Sequence, residues 1–193
     1  MRRASTAVAA ASAAIVLAAL PLSADSGVER AFAPGGRVQF HLAAADYRIV
    51  GAPDGRIRVT WTADAREDTA QVGADIQVTG ASALVTTRGP KNGLHFTIDV
   101  PQRTDVDVTL SAGDLDLTGV QGSKSVSSWA GDVTIDVGRA ADYGRVDAAV
   151  RFGDLVAHPF NYVGSGIWHS LTRTGSGKQT LKVRLFAGDL ILQ

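Results

Sequence analysis

Apolar and polar residues alternate along most of this chain, and at five places the alternation slips by one position. Val106, Val108, Leu110 and Ala112 alternate with Asp105, Asp107, Thr109 and Ser111, the period-two mark of a strand with one buried face. Beyond Gly113-Asp114 the apolar positions become Leu115 and Leu117, an odd step from Ala112, so the inward phase flips. Val146, Ala148, Val150 and Phe152 lead in the same way through Gly153-Asp154 to Leu155. Leu181, Val183, Leu185 and Ala187 lead through Gly188-Asp189 to Leu190 and Leu192. Val126 and Ala130 lead through Gly131-Asp132 to Val133, Ile135 and Val137. A degenerate copy runs from Val38, Phe40 and Leu42 through Ala45-Asp46 to Tyr47 and Ile49.

Two successive outward residues in an extended chain imply a bend or bulge, and Gly tolerates such backbone without steric cost. Gly113, Asp114, Gly131, Asp132, Gly153, Asp154, Gly188 and Asp189 are therefore expected to form structural corners between short strands. With Ala in place of Gly, the Ala45-Asp46 corner is expected to be less sharp or to have less unusual backbone. Successive corner glycines are 18, 22 and 35 residues apart. The first two intervals suit single coils of a stacked repeat, whereas the third leaves room for an excursion over 158–178. The fold class expected is all-β, a β-solenoid or β-helix-like stack of short strands.

Composition places the chain. Arg2 and Arg3, the apolar run Ala7–Leu20 and the small residues near Ala24 read as a signal peptide over 1–24, cleaved on export. That leaves a single domain over 25–193, with a longer-strand half at 27–101 and the Gly-Asp half at 102–193. In the first half, strands are expected at 36–44, 47–50, 56–62, 75–79 and 94–100, and only 63–70 has helical composition. No later stretch is long and apolar enough to span a membrane. The reading is an exported protein, periplasmic or extracellular at the cell envelope. A near-balance of 19 basic and 19 acidic residues provides no basic stripe for nucleic acid. With no cysteine, thiolate catalysis, disulfides and cysteine–zinc sites are excluded.

The run Ile98-Asp99-Val100-Pro101, Thr104-Asp105-Val106-Asp107-Val108, Gly113-Asp114 and Leu117-Thr118-Gly119-Val120-Gln121-Gly122 resembles the bacterial putative-adhesin family. The likeness extends over roughly residues 36–193 and lies in the ordered series rather than in any one motif. It implies a β-solenoid-like fold and an envelope setting, and brings no ligand or catalytic residue with it.

The candidate chemistry is sparse. The corner aspartates could hold calcium, but the dense glycine-aspartate nonapeptide of calcium-binding β-rolls is absent and Asp commonly stabilises turns. Asp114, Asp116, Asp132 and Asp136 suit a solvated β-face better than a glycosidase's acid/base pair. Gly175-Ser176-Gly177-Lys178-Gln179 lacks the leading Gly and final Ser/Thr of a phosphate loop. No catalytic residue, cofactor or metal is assigned, and no enzymatic activity is expected. The excursion holds Phe160, Tyr162, Trp168 and His169, a recognition loop or alternatively a cap on the end of the stack. The expected function is a non-enzymatic envelope structural or interaction module whose partner is an envelope protein or glycan. The alternative is a carbohydrate-binding or carbohydrate-processing solenoid.

Overall fold

The computed structural model describes residues 27–63, 71–89 and 93–193. The signal-peptide segment, the helical composition over 64–70 and the centre of the Gly89–Gly93 turn lie outside the described residues. The protein is all-β, with two mixed sheets of nine and eight strands facing each other across one apolar core. The strands are β1 (Gly27–Ala31), β2 (Arg37–Leu42), β3 (Asp46–Ala52), β4 (Arg56–Ala63), β5 (Gly73–Thr79) and β6 (Ser82–Arg88). They continue as β7 (Leu94–Pro101), β8 (Asp105–Leu110), β9 (Leu115–Thr118), β10 (Lys124–Ala130), β11 (Val133–Ile135) and β12 (Tyr143–Phe152). The last five are β13 (Leu155–Ala157), β14 (Tyr162–Gly164), β15 (Ile167–Thr174), β16 (Gln179–Ala187) and β17 (Leu190–Leu192).

At each slip in the alternation the chain leaves the eight-stranded sheet and enters the nine-stranded one. β2 passes into β3, β8 into β9, β10 into β11, β12 into β13 and β16 into β17. β6 and β7 form a further pair that lacks a Gly-Asp signature, parallel to β2 and β3 respectively. The alternation persists because each strand lies with one side on the core: Val106, Val108 and Leu110, then Leu115 and Leu117, are all buried.

The pairs do not stack in chain order. In space the sequence is β6/β7, β2/β3, β8/β9, β10/β11, β16/β17, β12/β13. The final pair thus occupies the interior of both sheets, with β16 parallel to β10 and β12, and β17 parallel to β11 and β13. Antiparallel strands close the ends: β4 on β7 and β5 on β6 at one, β14 on β13 and β15 on β12 at the other. The excursion read from the sequence is therefore largely the terminal strand of each sheet, with Phe160 buried in the core.

The corners form a column in that same spatial order. The Oδ1 of Asp46, Asp114, Asp132 and Asp189 accepts the backbone N–H of Asp114, Asp132, Asp189 and Asp154, at 3.2, 2.9, 2.9 and 2.9 Å. Each carboxylate thus satisfies a backbone donor of the next copy. Gly113, Gly131, Gly188 and Gly153 have φ of +109°, +110°, +128° and +134°. A Cβ at any of them would collide with the carbonyl oxygen of the preceding corner, that of Ala45, Gly113, Gly131 or Gly188. Ala45 begins the column and does not have a positive φ.

Candidate functional site: an aromatic and arginine row

Residues two positions before the corner glycines point outward from the eight-stranded sheet. Trp129 precedes Gly131, Phe186 precedes Gly188 and Arg151 precedes Gly153. The parallel register aligns the three copies: Trp129 is flanked by the pairs Ser128–Leu185 and Ala130–Ala187, and Arg151 by Val150–Leu185 and Phe152–Ala187. On the far side β15 places Trp168 beside Arg151, between the pairs Val150–His169 and Phe152–Ile167. One row across four strands therefore reads Trp129, Phe186, Arg151, Trp168.

The row is a stack of planar groups. The Trp129 and Phe186 rings lie parallel, 4.0 Å between centroids and 4° between planes. The Arg151 guanidinium sits 5.3 Å from the Phe186 ring centre and 4.3 Å from that of Trp168, a cation–π arrangement on both sides. Phe152 meets Phe186 edge-on at 5.5 Å. Despite these contacts Trp129 and Trp168 remain 63% and 67% exposed. Trp168 has a φ of +61°, a left-handed conformation that bulky side chains rarely adopt.

Below the row runs one of smaller residues, Ser127, Ala149 and Ser170, with Arg184 among them. Together the two rows bound a groove of about 590 Å³ that reaches Thr109 on β8 and contains no carboxylate among its lining residues. Arg184 donates to the backbone carbonyls of Val183 (3.1 Å) and Asp147 (3.4 Å). Among the described residues neither Arg151 nor Arg184 is in an ion pair. Asp147, one row further along the same face, is bonded instead to Arg145 at 2.5 Å, which holds its carboxyl below the usual carboxylate range.

The recognition-loop residues divide. Trp168 joins the row and His169 lines the groove, while Phe160 is buried and Tyr162 packs against the core. Trp129, Phe186 and Arg151 were not among the residues singled out from the sequence, although aligning the copies on their glycines would have collected all three. Also unanticipated is Lys124, fully buried on the inward face of β10. Its Nζ donates to the Tyr143 hydroxyl (2.6 Å), which donates onward to the Val137 carbonyl (3.1 Å). Burial lowers the Lys124 pKa to about 8, and burial pushes the Tyr143 phenol up.

A larger cavity, about 920 Å³, lies at the opposite edge, where Arg103, Asp136, Arg139, Asp142 and Lys178 mix both signs of charge. Arg139 and Asp142 pair there at 2.8 Å. Along the corner column, His95 Nδ1 lies 3.4 Å from Asp46. Among the described residues no group of three or more His, Asp or Glu side chains is arranged to hold a metal ion. No helix among them is long and apolar enough to cross a membrane.

No protein-family model matches the chain, and no curated protein is significantly similar to it. A solved structure of a putative cell adhesion protein from Clostridium sporogenes shares the fold, with a TM-score of 0.53 at 14% identity, covering 86% of this chain and 97% of that one. A putative adhesin from Parabacteroides distasonis overlaps 86% of this chain and 96% of its own at 11% identity, with a TM-score of 0.23.

Proposed function

We propose that this protein is an exported, non-enzymatic interaction module of the cell envelope, adhesin-like in role, whose contact surface is the outer face of the eight-stranded sheet around Trp129, Phe186, Arg151 and Trp168. The observation that carries this reading is a row of large planar side chains, ordered by stacking yet left open to solvent. Apolar area of this kind on a sheet face is disfavoured unless something covers it. The C. sporogenes fold neighbour, named for cell adhesion, supports the adhesin-like part. The putative-adhesin resemblance of the sequence adds the envelope setting, and the N-terminal pattern adds export.

The corner column serves as scaffold in this reading. Its glycines and aspartates make the bend and bond successive copies, so that a solenoid-like stack presents a flat, rigid face. Catalysis is not part of the proposal, because acid/base cleavage of a glycan calls for paired carboxylates and the groove lining has none.

The test is a Trp129→Ala/Trp168→Ala double variant compared with the parent for retention on immobilised, purified cell-envelope preparations. The reading expects the variant to melt like the parent and lose retention. Equal retention of the two proteins would give the contact to another surface.

A further inference from the structure

The lining of the groove also defines the chemistry of what could fill it. Resting on the interaction-face reading above, we infer that the groove takes an acidic polysaccharide, with sugar rings against the indoles and carboxylates on the arginines.

Charge complementarity sets the sign of the ligand. Arg151 and Arg184 both reach the groove, no Asp or Glu lines it, and neither arginine has a carboxylate partner among the described residues. An Arg fork beside apolar rings and outside any ion pair can receive a planar anion in bidentate fashion, with Asp147 acting on Arg184 only through space.

The remaining lining separates a sugar from a peptide. β8, β10, β16 and β12 are each bonded to neighbours on both sides, so the floor between them offers no spare backbone donors or acceptors, and only β15 at the rim has a free edge. A peptide adding itself as a strand needs a free sheet edge, and this groove runs across the strands on a face. It offers hydroxyls from Thr109, Ser127 and Ser170, and the indoles of Trp129 and Trp168 at the two ends of the row. Only one face of Trp129 is covered by Phe186, and only one face of Trp168 by Arg151. Hydroxyl-rich rings with one apolar face fit that combination. From β8 to β15 the groove crosses five strands, about 19 Å at the usual strand spacing, room for a short run of sugar units.

The geometry also ranks the two arginines. Arg151 is held between Phe186 and Trp168 and keeps the row in place, whereas the hydrogen bonds of Arg184 go to backbone carbonyls at 3.1 and 3.4 Å and leave its guanidinium outside the stack. Arg184 is therefore the carboxylate contact, and Trp129 and Trp168 are the stacking contacts.

The probes are polygalacturonate, alginate and hyaluronan, with fully methyl-esterified polygalacturonate as the uncharged sugar and poly-glutamate as the acidic peptide. Tryptophan emission and calorimetry report binding, and thermal melting checks that each variant folds. At least one acidic polysaccharide is expected to bind, with esterification weakening polygalacturonate if that is the one. Arg184→Gln should weaken the acidic ligand by about tenfold or more, as expected for loss of a charge-assisted hydrogen bond. Trp129→Ala should weaken it as well, with melting unchanged.

Equal binding of poly-glutamate, or indifference to Arg184→Gln, would overturn the acidic-sugar assignment. So would a concentration-dependent dimer broken by the same substitutions, which would give the face to a second copy of the chain. Binding to none of the three acidic polysaccharides, with envelope retention still lost in the double tryptophan variant, would overturn the ligand class and leave the interaction face standing. Failure of both assays would remove both.

Discussion

The corner column and the aromatic row come from the same repeat, two residues apart, and they behave in opposite ways. At the corner, four copies hold Gly-Asp because each bend makes the same demand: a positive φ and a carbonyl oxygen where a Cβ would stand. Two residues earlier the side chain leaves the sheet into solvent and the fold demands nothing, and there the copies read Ser111, Trp129, Arg151 and Phe186. The lesson is to separate repeat positions by whether the backbone or the surroundings choose the residue. Sameness marks the scaffold. An expensive residue where none is needed marks the face in use.

Lys124 sharpens the distinction from the inside. It pairs with Val106 and Leu181, and Val106 in turn with Val38, so the neighbouring copies place an aliphatic side chain at this inward position. A buried ammonium opposes folding there, and its hydrogen bond to Tyr143 offsets only part of that.

The largest effect is expected from deleting Asp189–Gln193. Leu190 and Leu192 are completely buried, each contributing about 2–3 kcal/mol, and their loss also unpairs β11 and β13. The truncated protein should show no cooperative thermal transition; melting within a degree or two of the parent would mean the column does not depend on continuity. Next comes Gly131→Ala, expected to destabilise by about 3 kcal/mol or more in urea denaturation, since strain and collision act together. Gly138→Ala is its control: φ is +70° but nothing lies within 4 Å, so about 1–2 kcal/mol is expected. Similar losses at the two glycines would show that close approach of the copies contributes nothing.

Lys124 gives an effect of intermediate size with a defined pH window. Its pKa is about 8 folded against 10.5 unfolded, so between those values the unfolded chain holds more protons and stability rises with pH. Below that window both states are charged and the full burial penalty opposes folding. Lys124→Met should therefore be more stable than the parent at pH 7, by about 2 kcal/mol, and should lack the parent's gain between pH 8 and 10. Above pH 10 both proteins should weaken, because burial raises the pKa of Tyr47 to about 12 and pushes that of Tyr143 up as well, whereas the unfolded tyrosines ionise normally. A flat parent profile from pH 8 to 10 would remove the penalty assigned to Lys124.

Smaller still is Trp129→Ala, which should change stability by no more than about 1 kcal/mol because the ring is mostly exposed. A larger loss would turn the row from a contact surface into a structural staple. The smallest effect is none: chelator and added calcium should leave the melting temperature unchanged, since the corner carboxylates are bonded to backbone N–H groups. A calcium-dependent rise of several degrees would give the column an ion.

Much of the scaffold was legible because its causes are local. Period-two alternation reports one buried face, and a Gly-Asp slip reports a change of face, so the paired strands around each corner could be read residue by residue. β7 was read as a strand at 94–100, but β6 and its link to β7 as a further copy were missed because the connection lacks Gly-Asp; β14 and β15 were read as an excursion because Gly and aromatic residues interrupt their alternation. Spatial order was hidden for a different reason. Leu181–Leu185 alternates equally well at the end of a stack or in its middle, and only packing decides which. The aromatic row failed to stand out because its members are scattered from residue 129 to residue 186 and meet only through strand register. Phe160 could be read from the sequence either as a cap or as a recognition residue, because an aromatic in a Gly-rich stretch looks the same in both roles, and its burial matches the cap.

The interior position of β16/β17 has a consequence in time. A chain emerging N-terminus first has made β10 through β15 before the strands that join β10/β11 to β12/β13 exist, so four strand edges must wait open. Pairing between distant segments is slow to begin with, and here it cannot finish until β16 and β17, within residues 179–193, have been delivered. The fold is thus completed by a keystone, not grown by addition. A product cut short by stalled synthesis or a protease keeps those open edges, which can pair with other chains.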